Sequence, residues 1–207
     1  MFISFEGLDG SGKTTQITLL SERLTSLNIE VVVLREPGGT VISERIREIL
    51  LDKKHLGMNE TTEFLLFSAA RAQVVNEVIR PALAASSVVI ADRYVDSSTA
   101  YQGYGRGLPM ESIRAINAAA TQGVMPYVTF MIDLDLDELV RRKKLTGADA
   151  DRMELSGRAF YDKVRRGYLE MAHAEPGRFA VIDGAQSVDA IHALIWKRVA
   201  PLLARAE

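Results

Sequence analysis

The densest chemistry in the sequence lies near its start. Gly7-Leu8-Asp9-Gly10-Ser11-Gly12-Lys13-Thr14 fills every fixed position of the pattern G-x-x-x-x-G-K-S/T. An apolar run, Phe2–Phe5, precedes it and a helical pattern, Thr14–Leu27, follows. In that setting the glycines let backbone N–H groups turn toward phosphate oxygens, and the helix N-terminus adds its positive end. Lys13 is placed to hold β- and γ-phosphates, and the Thr14 hydroxyl to ligate Mg²⁺. Gly7 through Thr14 therefore reads as a binding loop for a nucleoside triphosphate. The loop alone does not separate a kinase from a GTPase switch or an ATP-driven machine. A guanine-reading N-K-x-D segment is missing, since the chain holds no Asn-Lys pair. The choice rests on whether there is a second substrate site.

Three further segments bear on that question. Asp92-Arg93-Tyr94 closes an apolar run. A carboxylate there can reach the Mg²⁺ shell, and Arg93 can aim a fork of donors at phosphates; a salt bridge at a strand end is the plain alternative. Phe67 and Arg71 stand four apart on a helical pattern, hence on one face. A ring beside an arginine can stack a base and hydrogen-bond its edge, although spacing alone favours a core role for Phe67. Ser97-Ser98-Thr99-Ala100-Tyr101-Gln102-Gly103-Tyr104-Gly105 carries hydroxyls, an amide and rings, which suit a nucleoside and suit a packed turn equally. Arg35-Glu36-Pro37-Gly38-Gly39-Thr40 leads to Arg45 and Arg47, for which a solvated helix face is an open reading. Arg141-Arg142-Lys143-Lys144, then Thr146–Ala150, Asp151-Arg152 and Gly157-Arg158, suggest an exposed basic flap or an ordinary helix end and loop. A closing arginine-bearing lid would give phosphoryl transfer both positive charge and exclusion of water.

Elements to carry these residues alternate along the chain. Phe2–Phe5, Val31–Arg35, Val88–Asp92, Tyr127–Asp133 and Phe179–Asp183 are apolar runs of the kind that strands buried on both faces of a parallel sheet require. Between them lie helical patterns at Thr14–Leu27, Val41–Leu51, Thr61–Leu83, Met110–Gln122, Leu136–Leu145, Arg158–Ala174 and Ser187–Ala204. Asn28 suits a C-terminal cap, Pro109 a helix start, and Pro201 a kink or early stop in the last helix. The alternation predicts an α/β fold with right-handed crossovers. In such a fold ligands bind beyond the carboxyl ends of the strands, here Glu6–Gly7, Arg35–Glu36, Asp92–Arg93 and Asp133. No repeat or linker interrupts the 207 residues, so residues 1–207 read as a single domain.

Composition removes other classes. With 47% hydrophobic and 25% charged residues the chain is ordinary globular material, long enough to bury roughly 70% of its unfolded surface. A net charge of −2 supplies no global field for a nucleic acid polymer or a membrane. No cysteine is present, which excludes disulfides, thiol catalysis and cysteine-ligated zinc. The three histidines lie too far apart to suggest a metal motif. Ala115–Ile132 is uncharged but contains Asn117, Gly123 and Pro126, so it reads as helix end, turn and strand. Phe2–Phe5 lacks the length of an export core, and the expectation is a soluble, cytoplasmic protein.

Taken together, Phe5–Thr15, Arg35–Thr40, Leu66-Phe67-Ser68-Ala69-Ala70-Arg71 and Asp92–Gly103 make the chain resemble the bacterial thymidylate kinases (dTMP kinases) over essentially its whole length. The resemblance implies the three-layer P-loop nucleoside monophosphate kinase fold, with a five-stranded parallel sheet flanked by helices and a mobile lid at about 142–157. It implies phosphoryl transfer from ATP to dTMP with Mg²⁺, giving ADP and dTDP for dTTP biosynthesis. It matches Phe67 to the ring that stacks on thymine and Arg71 to the group that binds its edge. Arg47 and Arg93 match the arginines on the acceptor phosphate, and Ser98 and Gln102 match polar base contacts. Tyr101 corresponds to the ring that crowds out a ribose 2′-OH, and Asp9 and Glu36 to carboxylates near the sugar and reacting phosphates. Thr14 and Asp92 are expected at the metal. Since Leu8 to Ser11 holds no arginine, the catalytic arginine is expected from the lid as Arg152, assisted by Arg142. A homodimer formed through helices, Thr61–Leu83 among them, is also implied. A kinase of this fold with another acceptor, and a non-catalytic nucleotide switch, are the rival readings.

Overall fold

The period of two along the first strand sorts side chains into two layers. In β1 (Phe2–Glu6), Ile3 and Phe5 pack with Ile17, Leu20 and Leu24 of α1 (Lys13–Ser26) and with Ile191, Ile195 and Val199 of α9 (Val188–Leu203). Phe2 points the other way, onto Val74, Val75 and Ile79. The computed structural model, which describes residues 1–146 and 152–203, thus has a central sheet with helices on both faces. Each fully buried Ile, Leu or Phe of these layers adds roughly 1.5–3 kcal/mol to the fold.

The sheet comprises β1, β2 (Val31–Arg35), β3 (Val88–Asp92), β4 (Val128–Asp133) and β5 (Phe179–Asp183), all parallel, in the order β2-β3-β1-β4-β5. Phe5 lies opposite both Asp92 and Phe130, and Arg35 opposite Asp92. That register brings the carboxyl ends of β2, β3 and β1 level, where the charged residues collect. The expectation of burial on both faces holds for β1, β3 and β4 but not for the edges. Val33 in β2 and Val181 in β5 are about half exposed, because an edge strand lacks a neighbour on one side.

Between the strands lie α2 (Val41–Leu51), α3 (Glu60–Val74), α4 (Arg80–Ala84), α5 (Val95–Ser98), α6 (Met110–Thr121), α7 (Leu136–Thr146) and α8 (Arg158–Ala174). Asn28, at φ 61°, follows α1 in the left-handed conformation expected of a cap, and Pro109 directly precedes α6. Pro201 does not stop α9, which runs on to Leu203.

Two segments differ from what their sequence suggests. The pattern Thr61–Leu83 is not one helix: α3 gives way to a π-helical turn at Val75–Ile79 before α4. Pro81 has no N–H to return to the preceding turn, so the hydrogen-bond ladder widens ahead of it. The Ser97–Gly105 run is neither loop nor simple turn. α5 passes directly into a π-helical stretch, Thr99–Gly105, in which Ala100, Tyr101 and Gln102 are buried. Its hydroxyl and glycine content hides it from helix propensity. The Ala115–Ile132 stretch divides into the end of α6, a turn and β4, and no described helix is long and apolar enough to cross a membrane.

Candidate active site

The loop between β1 and α1 turns as its glycines allow. Gly7 has φ 132°, and a Cβ there would stand 2.4 Å from the carbonyl oxygen of Ile132. Gly12 has φ 102° and caps α1 without any side-chain hydrogen bond, so the first N–H groups of the helix stay available to an anion. Lys13 Nζ donates to the carbonyl oxygens of Gly7 and Leu8, each at 3.0 Å. Burial pulls its ammonium down to about 8, and the Arg93 charge adds to this against Asp9, Asp92 and Glu6. Thr14 Oγ1 donates to Asp92 Oδ2 at 3.1 Å. A hydroxyl and a carboxylate oxygen this close form two corners of an oxygen site that suits Mg²⁺, which takes its remaining ligands from phosphates and water.

Two chambers open at this end of the sheet. The first is lined by Gly10, Gly12, Lys13, Thr14, Thr15, Arg35 and Asp92, and is the phosphate-loop side. The second is lined by Pro37, Leu51, Phe67, Arg71, Tyr94, Ser97, Ser98, Tyr101, Gln102 and Met153. Asp9, Glu36, Arg47 and Arg93 line both. Expected site residues from four separate segments thus converge on one cleft, and two arginines and two carboxylates stand where its halves meet.

Arg93 has φ 72°, a strained left-handed backbone for a residue with a side chain. Its guanidinium donates to Asp9 Oδ1 at 2.7 Å and lies over the Tyr101 ring, 5.2 Å from the centroid. Arg47 donates to the Pro37 carbonyl at 3.0 Å, whereas Arg45 pairs with Glu48 on the exposed face of α2. The open choice on that helix therefore falls to Arg47 for the cleft and Arg45 for solvent.

Arg71 is buried and almost fully engaged. Nε donates to Glu36 Oε2 at 2.8 Å, one terminal nitrogen to Asn117 Oδ1 at 3.2 Å, and the other to the Tyr94 carbonyl and Ser98 Oγ. Four of the five N–H donors of a guanidinium are so used, leaving one for a ligand. Glu36 Oε1 is buried without a hydrogen-bond partner among the described residues. Burial raises the Glu36 carboxyl to about 6, against the pull of Arg71. A fixed arginine with one spare donor, beside a carboxylate with one spare acceptor, is a polar edge awaiting a partner.

Some expected residues stand elsewhere. Arg152 is buried and faces Glu63, with N–O 2.7 Å, while Nε donates to the Leu50 carbonyl at 2.6 Å. It is not among the residues that line the phosphate-loop chamber. Its neighbour Met153 sits in an apolar cluster with Leu8, Tyr101 and Phe160, which draws Arg152 inward. The residue expected to be the mobile catalytic arginine is thus buried against Glu63, next in sequence to Met153, which lines the acceptor chamber. Arg142 stands closer to the phosphate loop. It donates to Glu138 at 2.9 Å and to the Gly184 carbonyl at 3.0 Å, and Gly184 abuts Ser11. Arg158 pairs with Asp137. Gln102 lines the chamber but turns its amide onto Glu63 at 3.0 Å. The lid expected at about 142–157 falls partly on residues 147–151, which lie outside the described residues.

Sequence reasoning missed Glu63 and Asn117. Glu63 takes hydrogen bonds from Gln102 and Arg106 and pairs with Arg152. Burial would raise its carboxyl, yet Arg106, Gln102 and Arg152 hold it below the usual range. It stands four residues before Phe67 and eight before Arg71, so the same helical spacing was a usable signal. Asn117 carried none, because its partner Arg71 is reached only through the packing of α6 on α3.

Residues 5–195 match the family model described as thymidylate kinase. A thymidylate kinase from Pelodictyon phaeoclathratiforme is 50% identical over 203 residues, covering 94% of this chain and 93% of its own. One from Caldanaerobacter subterraneus subsp. tengcongensis is 47% identical over 206 residues, covering 100% and 98%. The crystal structure of thymidylate kinase from Ehrlichia chaffeensis superposes with a TM-score of 0.78 at 36% identity, covering 97% of this chain and 98% of that one.

Proposed function

The chain belongs to the thymidylate kinase family, and from that premise we propose which residues carry its reaction, the transfer of a phosphoryl group from ATP to dTMP to give ADP and dTDP for dTTP synthesis. The single observation that carries the assignment is the meeting of two chambers at Asp9, Glu36, Arg47 and Arg93. One chamber has the loop for a triphosphate. The other has a ring and a nearly saturated arginine suited to a base.

Phe67 stacks on thymine, and the spare donor of Arg71 meets a carbonyl oxygen of the base. Ser98 holds Arg71 in place, Gln102 closes the chamber wall, and Tyr101 fills the space that a 2′-OH would need. Arg47 and Arg93 grip the acceptor phosphate. That phosphate is already an anionic nucleophile at neutral pH, so the protein needs no strong base. Its task is to bring two anions into line and neutralise the charge between them. Lys13 leaves the Gly7 and Leu8 carbonyls for the phosphates of ATP. Asp9 sets Arg93 against the loop. Thr14 and Asp92 hold Mg²⁺, which when bound offsets charge on the phosphates. Arg142 is the lid arginine best placed to add charge on the donor side.

We place the enzyme in the cytoplasm as one P-loop kinase domain acting on small molecules, without nucleic acid polymer or membrane. It pairs as a homodimer through α2 and α3, whose Val41, Ile42 and Leu65 are about half exposed or more. The assignment is tested by phosphorylation across dTMP, dUMP, AMP, GMP and thymidine, with sedimentation for the dimer. dTMP should be the preferred acceptor, with Arg93→Ala lowering kcat/KM for dTMP about 10²-fold or more. Turnover by Arg93→Ala at the wild-type level would overturn the placement of the acceptor phosphate.

A further inference from the structure

Glu6 ends β1 on the face opposite Ile3 and Phe5 and is wholly buried. A carboxylate at such a position is costly unless its oxygens are satisfied, and here every bond it accepts leads to Arg93. Oε1 accepts from the Tyr94 N–H at 2.7 Å. That peptide directly follows Arg93 and fixes the exit from its left-handed turn. Oε2 accepts from Ser97 Oγ at 2.6 Å and from Tyr168 Oη at 2.8 Å. Those two hydroxyl oxygens are themselves 2.8 Å apart, and both face one terminal nitrogen of Arg93, at 3.2 and 3.4 Å. The other terminal nitrogen holds Asp9.

Hydroxyls can present either a hydrogen or a lone pair. With an anionic carboxylate behind them, Ser97 and Tyr168 turn their hydrogens toward Glu6 and their lone pairs toward the guanidinium. An amide at position 6 cannot keep this arrangement. The Tyr94 N–H is a fixed donor, so the amide must give it the oxygen and point its NH₂ at the hydroxyls. They would then turn round and aim hydrogens at Arg93.

We propose that Glu6 is the positioning residue for Arg93, setting the guanidinium through Tyr94 N–H, Ser97 and Tyr168 so that it faces the acceptor phosphate. The proposal rests on the reading that Arg93 binds that phosphate. It brings α8 into the acceptor site, because Tyr168 is the one member of the cradle from that helix.

The test is steady-state kinetics at pH 8 on Glu6→Gln, Ser97→Ala, Tyr168→Phe and Arg93→Lys, with circular dichroism on each. Glu6→Gln should raise KM for dTMP about tenfold or more and leave KM for ATP within about twofold. In the Arg93→Lys background the same change should add little, because a residue that acts through Arg93 has nothing left to act on. Equal increases in both KM values, or losses that add in the double variant, would overturn the proposal. Should Glu6→Gln fail to fold, Ser97→Ala and Tyr168→Phe decide. Each must raise KM for dTMP selectively and lose that effect in the Arg93→Lys background, and selectivity or coupling that fails in both overturns the proposal. If Arg93→Lys itself leaves dTMP kinetics unchanged, the fault lies in the placement of the acceptor phosphate, and the two failures are thereby distinguished.

Discussion

Arg152→Ala separates two roles for one side chain. As a catalytic arginine, Arg152 would engage only in the transition state, and its loss would lower kcat by 10²-fold or more. Its surroundings argue for a different outcome. Glu63 is buried and shared among Arg152 at 2.7 Å, Arg106 at 3.2 Å and Gln102 at 3.0 Å. Breaking a buried pair outright costs about 3–5 kcal/mol because a charge is left alone. Here Arg106 and Gln102 remain on Glu63, so the loss should be nearer one charged hydrogen bond, about 2–3 kcal/mol. For a chain of this size each kcal/mol moves Tm by about 2–4 °C, giving a fall of about 4–12 °C. The wall beside Phe67 should loosen, raising KM for dTMP more than KM for ATP, with kcat within about threefold. Thermal denaturation and two-substrate kinetics read all three. Glu63→Gln sharpens the contrast. If Arg152 serves the transition state, freeing it from Glu63 preserves or raises kcat. If it serves the wall, Glu63→Gln copies Arg152→Ala in its effect on dTMP. A hundredfold loss of kcat in Arg152→Ala at unchanged Tm would refute the wall argument.

Phe67→Ala should raise KM for dTMP about ten- to hundredfold, since stacking on a ring is worth roughly 1–3 kcal/mol per base, while KM for ATP stays put; equal losses in both would assign Phe67 to packing. Lys13→Ala should cut kcat by about 10²–10³-fold with a native circular dichroism spectrum, because its charge matters most as the phosphates react; near-normal turnover would displace the triphosphate from this loop. Burial first, then Asp96, raises the Glu6 carboxyl to about 7 against the Ser97, Arg93 and Tyr94 contacts. An acid whose folded value exceeds its unfolded one favours folding below the unfolded value and loses that benefit as pH rises through the folded one. Between about pH 4.5 and 7 the wild type should therefore lose stability relative to Glu6→Gln, by about 3 kcal/mol at full ionisation; a Tm difference independent of pH would refute the shift.

What the sequence reveals by itself follows from how far each signal reaches along the chain. The strands were legible because four to six consecutive apolar residues are a local pattern, and β2, β3 and β5 begin and end where that pattern does. The phosphate loop was legible because Gly7, Gly12, Lys13 and Thr14 act through their own backbone turn. The acceptor chamber was legible only in part. Phe67 and Arg71 announce themselves by spacing, yet what fixes Arg71 is Glu36, Asn117 and Ser98, from three other elements. The burial of Arg152 shows the same limit in reverse. Its basic, small-residue neighbourhood reads as an exposed flap, whereas Met153 beside it is apolar and buried, and a buried Glu63 on a distant helix waits for a cation. Glu6 lay in plain view at a strand's carboxyl end, where a site is expected, but nothing local tied it to Arg93. A buried acid that costs stability once ionised persists where something else depends on it, and the bonds to Tyr94, Ser97 and Tyr168 identify that dependent as Arg93.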